Sequence, residues 1–257
     1  MDHDVIDQLN DNGFGYLKID YNANAGYGCD GAESSGEGMR QQMLAVCEFV
    51  KRIKEKVPGI IIENCASGGY RLEPSMMAIT AMSSFSDAHE CVDFPIVAAN
   101  LHYLIPARQS QVWVTLRKHY GKERFAYSIA AGFLGRLCWS GDILDLEDWQ
   151  FNEMMRTEAL YEKVAEIIKY GKSRIYQSQV FNYRKPEGTQ VVVRKYCDKA
   201  LVTLHYMYNP DELEIDLDGN YKIAERLYNT NAEIKDGKLI IGKNAEINGD
   251  VLVLEKI

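Results

Sequence analysis

The chain changes texture once, near residue 170, and that change limits the fold more than any single motif does. Before it, short apolar runs alternate with segments of helical period. After it, runs of period two follow one another with only turn residues between them. In the first part, residues 15–20 read as a strand. Residues 39–56 then read as a helix with Met43, Val46, Cys47, Val50 and Ile53 on one stripe, stopped by Pro58-Gly59. Further strands are predicted at 60–62, 83–86, 112–116 and 137–139, and further helices at 76–82, 94–107, 125–134 and 146–170. Strand and helix taking turns imply a parallel sheet with right-handed crossovers, either an open doubly wound sheet or a (β/α)8 barrel. No G-x-G-x-x-G follows the first strand, which weakens the dinucleotide-binding version. Roughly five strand–helix units fit, fewer than the eight of a closed barrel.

From residue 172 onward the expected strands are 179–183, 190–196, 200–207, 222–227, 238–241 and 251–255. Turn signals at Pro186-Glu187-Gly188, Asn209-Pro210-Asp211, Asp218-Gly219-Asn220, Asp236-Gly237 and Asn248-Gly249-Asp250 separate them. The pattern predicts a small antiparallel sandwich or barrel with one sheet face on a core and one in water. The expected organisation is thus α/β over residues 1–171 and all-β over 172–257.

Composition removes several function classes. No run of about 18 apolar residues occurs, which argues against a membrane-spanning helix. A formal net charge of −8 argues against nucleic acid or an anionic membrane as partner, since both need a basic face to displace counterions. Small neutral ligands stay open. The six cysteines, Cys29, Cys47, Cys65, Cys91, Cys138 and Cys197, include no C-x-x-C pair and no His at zinc-ligand spacing. Free thiols in a reducing, cytoplasmic compartment are expected, and no structural metal. Residues 1–11 are acidic and polar and lack the order of a signal peptide.

Three clusters can carry chemistry, each just after an apolar strand, where an α/β sheet opens its ligand crevice. In the first, period two puts Tyr16, Lys18 and Asp20 on one face and Leu17 and Ile19 on the other. A Lys and an Asp on one strand face need water, each other or a ligand; a salt-linked loop carboxylate is the plainer alternative. The second is Glu63-Asn64-Cys65-Ala66-Ser67-Gly68-Gly69-Tyr70-Arg71. Its glycines let backbone N–H groups approach a ligand, and Arg71 either stiffens the turn or binds an anion. Cys65 alone reads first as a small buried hydrophobe. In the third, Ser84-Phe85-Ser86-Asp87-Ala88-His89-Glu90, Asp87 is the first candidate. Glu90 and Asp93 are expected in the first turn of the next helix, where acids suit the dipole. No second His follows His89 at zinc-motif spacing. Two carboxylates from the ends of different strands suffice for glycoside hydrolysis, and equally for other acid–base reactions.

In this order the clusters resemble glycoside hydrolase family 36, the α-galactosidases of the melibiase and raffinose-degrading type. The matching stretches are Leu17-Lys18-Ile19-Asp20-Tyr21-Asn22, then Glu63 to Arg71, then Phe85-Ser86-Asp87, with support from Arg108-Gln109-Ser110-Gln111 and Leu137-Cys138-Trp139-Ser140-Gly141-Asp142. The resemblance implies that Asp20 is the nucleophile and Asp87 the general acid/base of a retaining, exo-acting reaction that releases terminal α-galactose. It implies sugar binding by Lys18 and Asn22, pocket shaping near the 2-substituent by Cys65 and Gly68, and a structural or sugar-contacting role for Arg71. No cofactor is implied. Phe85 stands where the family usually has Trp, and Ala88-His89-Glu90 replaces a commoner small-and-acidic pattern. That opens the choice between galactose and N-acetylgalactosamine.

The resemblance also implies an amino-terminal β-supersandwich, a (β/α)8 TIM-type barrel and a carboxyl-terminal antiparallel β-sandwich. The present residues then correspond to about barrel strands 4–8 over 1–171 and the sandwich over 172–257. An incomplete barrel has open parallel edges, so homo-oligomerisation or association with a missing amino-terminal half is expected. A non-catalytic sugar-binding or assembly fragment is the alternative from another class.

Overall fold

The computed structural model describes residues 2–20, 22, 29–179, 182 and 184–257. The chain divides into two compact units, Met1–Asp87 and Ala88–Ile257.

In the first unit, β1 (Tyr16–Asp20), β2 (Ile61–Cys65) and β3 (Met82–Ser84) pair in parallel in that order. A short helix α1 (Gln8–Asp11) precedes β1, and α2 (Ser35–Lys56) connects β1 to β2. The stripe read from the sequence is the buried face of α2: Val50 and Ile53 pack with Val57, Ile60, Ile62 and Met76, and Cys47, Leu17 and Ile19 close over them. The helix starts four residues before the expected position. Ser34 is extended and its hydroxyl accepts the Glu37 N–H at 3.2 Å, an N-cap that glycines at 36 and 38 disguise in the sequence. Gly38 is required by space, because a Cβ there would sit 2.2 Å from the Cys29 carbonyl oxygen. The helix expected over 76–82 shrinks to α3 (Pro74–Met77). The sheet takes the rest, with the Ala81 N–H donating to the Ile62 carbonyl at 2.9 Å and Met82 opening β3.

In the second unit, β4 (Ser110–Leu116) and β5 (Arg136–Gly141) pair in parallel. Helices α4 (Phe94–Asn100), α5 (Lys122–Gly132) and α6 (Asp148–Tyr170) accompany them. The helix expected over 94–107 ends early in two 3₁₀ turns, since Pro106 has no N–H to continue it. Among the described residues, eight antiparallel strands follow: β6 (Lys172–Gln177), β7 (Thr189–Tyr196), β8 (Lys199–Tyr206), β9 (Leu213–Asp216), β10 (Tyr221–Arg226), β11 (Ala232–Lys235), β12 (Lys238–Ile241) and β13 (Asn248–Lys256). They form a five-stranded sheet, β10-β13-β8-β7-β6, and a three-stranded sheet, β11-β12-β9. Of the strand expected at 179–183, Val180, Phe181 and Tyr183 lie outside the described residues, while Asn182 makes only an isolated bridge to Lys185. Three of the turn signals behave as read, with Asn209, Asp218 and Asp236 at φ of 47°, 51° and 51°. The turn expected at Asn248-Gly249-Asp250 is instead the start of β13, where pairing with Tyr206, His205 and Leu204 of β8 holds the residues extended.

The expectation of one wet sheet face does not hold for the central strands. Val191, Val193, Val202, Leu204, Leu252 and Leu254 share a core with Ile215, Leu239 and Ile241 of the smaller sheet. On the opposite face, Leu201, Val251 and Val253 pack with Phe125, Ile129, Leu160, Val164 and Ile167 of α5 and α6. Both faces of β8 and β13 are therefore dry. Gly249 permits a close approach of β13 to α5, since a Cβ there would lie 2.9 Å from Ala130 Cβ.

Candidate active site

In the first unit the register sets Asp20 beside Cys65 and Asn64 beside Ser83, so the carboxyl ends of β1, β2 and β3 are level. That edge is where a parallel sheet exposes a crevice. Strand alternation acts as read: Leu17 and Ile19 turn to the core, while Tyr16, Lys18 and Asp20 are the exposed members of β1.

The opposite number of Lys18 on β2 is Glu63, which is only 2% exposed. Glu63 accepts a hydrogen bond from the Tyr16 hydroxyl and pairs with Lys18 Nζ at 3.1 Å. Burial pulls the Lys18 ammonium down, but the hydrogen bond and charge of Glu63, with smaller contributions from Cys65 and Asp20, leave it raised overall. A buried carboxylate thus holds a lysine in place two residues before Asp20. The sequence pattern assigns Glu63 no role, because its pairing depends on a strand register that sequence spacing does not fix.

The turn after β2 joins the neighbouring strand ends. Asn22 Oδ1 accepts from the Ser67 N–H at 2.8 Å and from its hydroxyl at 3.1 Å. Cys65 is buried, and burial pushes its thiol up, opposed by a hydrogen bond from the Gly68 backbone; Asp20 raises it further by its charge and by accepting from the thiol. Gly68 has φ +77°, and a Cβ on it would meet Ser86 Cα at 3.0 Å. Only a glycine lets this turn lie against the segment that leads to Asp87. Arg71 is 5% exposed, and its carbonyl accepts from Asn64 Nδ2 at 2.6 Å. Asp87 is exposed, three residues past β3. Tyr21, within the first matching stretch, lies outside the described residues.

The second unit carries charges at its own strand ends. Arg117, directly after β4, bonds Glu90 Oε1 at 2.5 and 3.1 Å and Asp142 Oδ1 at 2.9 Å, and the Tyr120 hydroxyl donates to Glu90 at 3.0 Å. Hydrogen bonds from Arg117 hold both carboxyls below the usual range. Glu90 sits in a turn and is clamped by arginine, so the helix-dipole expectation for it is corrected. His89 stacks on Trp113 at 4.6 Å. Among the described residues, no group of three or more His, Cys, Asp or Glu side chains gathers as metal ligands would.

Residues 3–171 match the Melibiase family. The chain belongs to that family. A curated relative, alpha-galactosidase 2 of Pediococcus pentosaceus, is 31% identical over 77 residues, 30% of this chain and 11% of that protein. The fold is similar to that of a glycoside hydrolase family 36 α-galactosidase from Geobacillus stearothermophilus solved with 1-deoxygalactonojirimycin, at TM-score 0.79 and 17% identity, over 99% of this chain and 37% of that one. An α-galactosidase from Lactobacillus brevis gives TM-score 0.77 at 16% identity, over 98% and 37%. The chain therefore spans 37% of the length of these two structures.

Proposed function

We propose that this chain carries the catalytic carboxylates of a retaining, exo-acting α-galactosidase that releases terminal α-galactose from oligosaccharides such as melibiose or raffinose. The observation that carries the reading is the position of Asp20 at the carboxyl end of β1 and of Asp87 three residues past that of β3, with β2 and its Gly68 turn between them. Adjacent strands lie about 4.8 Å apart, so backbones two strands apart are separated by about 10 Å. A retaining pair holds its carboxylates ~5–5.5 Å apart, the separation that Asp20 and Asp87 would have to adopt in the proposed reaction. Two Geobacillus stearothermophilus family 36 structures were solved in complex with raffinose and with stachyose, which supports the substrate class.

In the proposed reaction Asp20 attacks the anomeric carbon while Asp87 gives its proton to the departing oxygen. Asp87 then takes a proton from the water that attacks the glycosyl–Asp20 ester, and the anomeric configuration is retained. Lys18, fixed by Glu63, keeps positive charge beside Asp20 and donates to sugar hydroxyls. Asn22 shapes the crevice, Arg71 supports its turn from the buried side, and Cys65 with Gly68 faces the 2-position. The parallel strands serve as strands 4–8 of a (β/α)8 barrel over 1–171, and 172–257 form the β-sandwich. The six free cysteines support a reducing, cytoplasmic setting.

The test is azide rescue on an aryl α-galactoside. Asp20→Gly should lose turnover and with azide give the β-galactosyl azide, whereas Asp87→Gly with azide should give the α-azide. Wild-type turnover in Asp20→Gly would remove Asp20 from the role of nucleophile.

A further inference from the structure

The second unit holds a groove of about 620 Å³ that shares no residue with the candidate active site, a volume within the range of ligand pockets. Besides the buried Phe125, its lining holds two partly exposed aromatic side chains, Trp149 in the first turn of α6 and Tyr228 in the segment after β10. Asn152, Asn229, Lys122 and Glu153 join them.

Both aromatics are held in place by their surroundings. Trp149 Nε1 donates to Glu147 Oε2 at 2.8 Å, and Glu147 is itself fixed as the N-cap of α6 by a reciprocal capping box with Gln150. The indole also packs on buried Phe125, ring centroids 5.3 Å apart. The Arg156 guanidinium lies 5.5 Å from the centre of the Tyr228 ring. The segment that carries Tyr228 and Asn229 is tied to Asp250, which is fully buried. Asp250 accepts from the Tyr228 N–H at 2.8 Å, from the Thr230 hydroxyl at 2.8 Å and from Arg226 at 2.6 Å. Such preorganisation lowers the entropic cost of binding.

We infer that this groove is a second site for a neutral oligosaccharide, independent of Asp20 and Asp87. A pyranose ring offers a C–H face to an aromatic plate and a rim of hydroxyls to carboxamides, which both donate and accept. Charge in the groove disfavours anions. Glu153 is engaged by Arg156 at 2.5 Å, and the lining holds two acidic residues, Glu123 and Glu153, against a single lysine, Lys122.

The site is tested by titrating the whole chain with raffinose, a neutral trisaccharide, using calorimetry and tryptophan fluorescence. Binding should saturate, survive Asp20→Asn, and weaken about tenfold or more in Asn152→Ala/Asn229→Ala and in Trp149→Ala, as expected for lost hydrogen bonds and stacking. Asn152 and Asn229 are exposed, so the double variant should keep the wild-type urea midpoint. Phe151→Ala, at an exposed position on α6 outside the groove, should leave affinity unchanged. The inference is overturned if the double variant binds raffinose as the wild type does, if no saturation occurs, or if inorganic phosphate displaces the sugar. Loss of binding in Asp20→Asn alone would also overturn it and would leave the catalytic reading standing.

Discussion

Replacing Glu63 by Gln asks whether a carboxylate, or only the shape of that side chain, organises the shared face of β1 and β2. Glu63 is 2% exposed, accepts from Tyr16 and pairs with Lys18 at 3.1 Å, while the Lys18 side chain keeps 32% of its surface in water. Removing one partner of a fully buried pair costs ~3–5 kcal/mol. Here the amide keeps an acceptor for Tyr16 and Lys18 can turn outward, so the loss should approach that of one charge-assisted hydrogen bond, ~1.5–3 kcal/mol. The pH dependence gives a separate signature. Lys18 is raised above its ordinary value in the folded chain, with burial outweighed by Glu63. Its contribution is then fully present below the unfolded pKa of about 10.4 and disappears as pH rises through the folded value. Urea unfolding followed by far-UV ellipticity should show a constant gap between wild type and Glu63→Gln from about pH 6 to 9, narrowing above about pH 10.4. A gap below about 0.5 kcal/mol at neutral pH, within the usual range for surface substitutions, would refute the assigned role of the pair. A gap that stays constant at alkaline pH would do the same.

Other consequences are open to direct measurement. Asp250→Ala leaves Arg226 and the Tyr228 and Thr230 donors without their buried acceptor, and should lower stability by ~3–5 kcal/mol in urea titrations. Gly68→Ala must move the turn away from Ser86 and should reduce α-galactoside turnover more than it lowers the melting temperature. Thiol titration should modify exposed Cys91 and Cys197 quickly and buried Cys29 and Cys65 only on unfolding. Burial lowers His205 to about 3 and His102 to about 4. Their unfolded forms take up protons first as pH falls below about 6.5, so stability should drop between there and pH 3–4, and His205→Phe should flatten that slope.

The strands and helices that carry the candidate site were legible because their signals are local. Alternation in β1 sorts Lys18 and Asp20 from Leu17 and Ile19 without any tertiary information. The α2 stripe matches the buried face because one side of a helix must leave water. Features that depend on partners were not legible. β6 is polar, with Lys172, Ser173 and Arg174 at its start, and becomes a strand because β7 lies beside it. β9 and β11 are short and take their identity from pairing with β12. Glu63 looks like a strand-end carboxylate until the register sets it against Lys18. Glu90 looks like a helix-start acid until Arg117, 27 residues later, reaches it.

The dry double face of the five-stranded sheet bears on how this protein can be rebuilt. Residues 172–257 have the architecture of a portable module, yet cutting there would leave Leu201, Val251 and Val253 without the side chains of α5 and α6 that cover them. A graft that begins at residue 172 would carry an adhesive apolar patch into its new host. One that begins at residue 88 would bring the cover along, together with the groove between Trp149 and Tyr228.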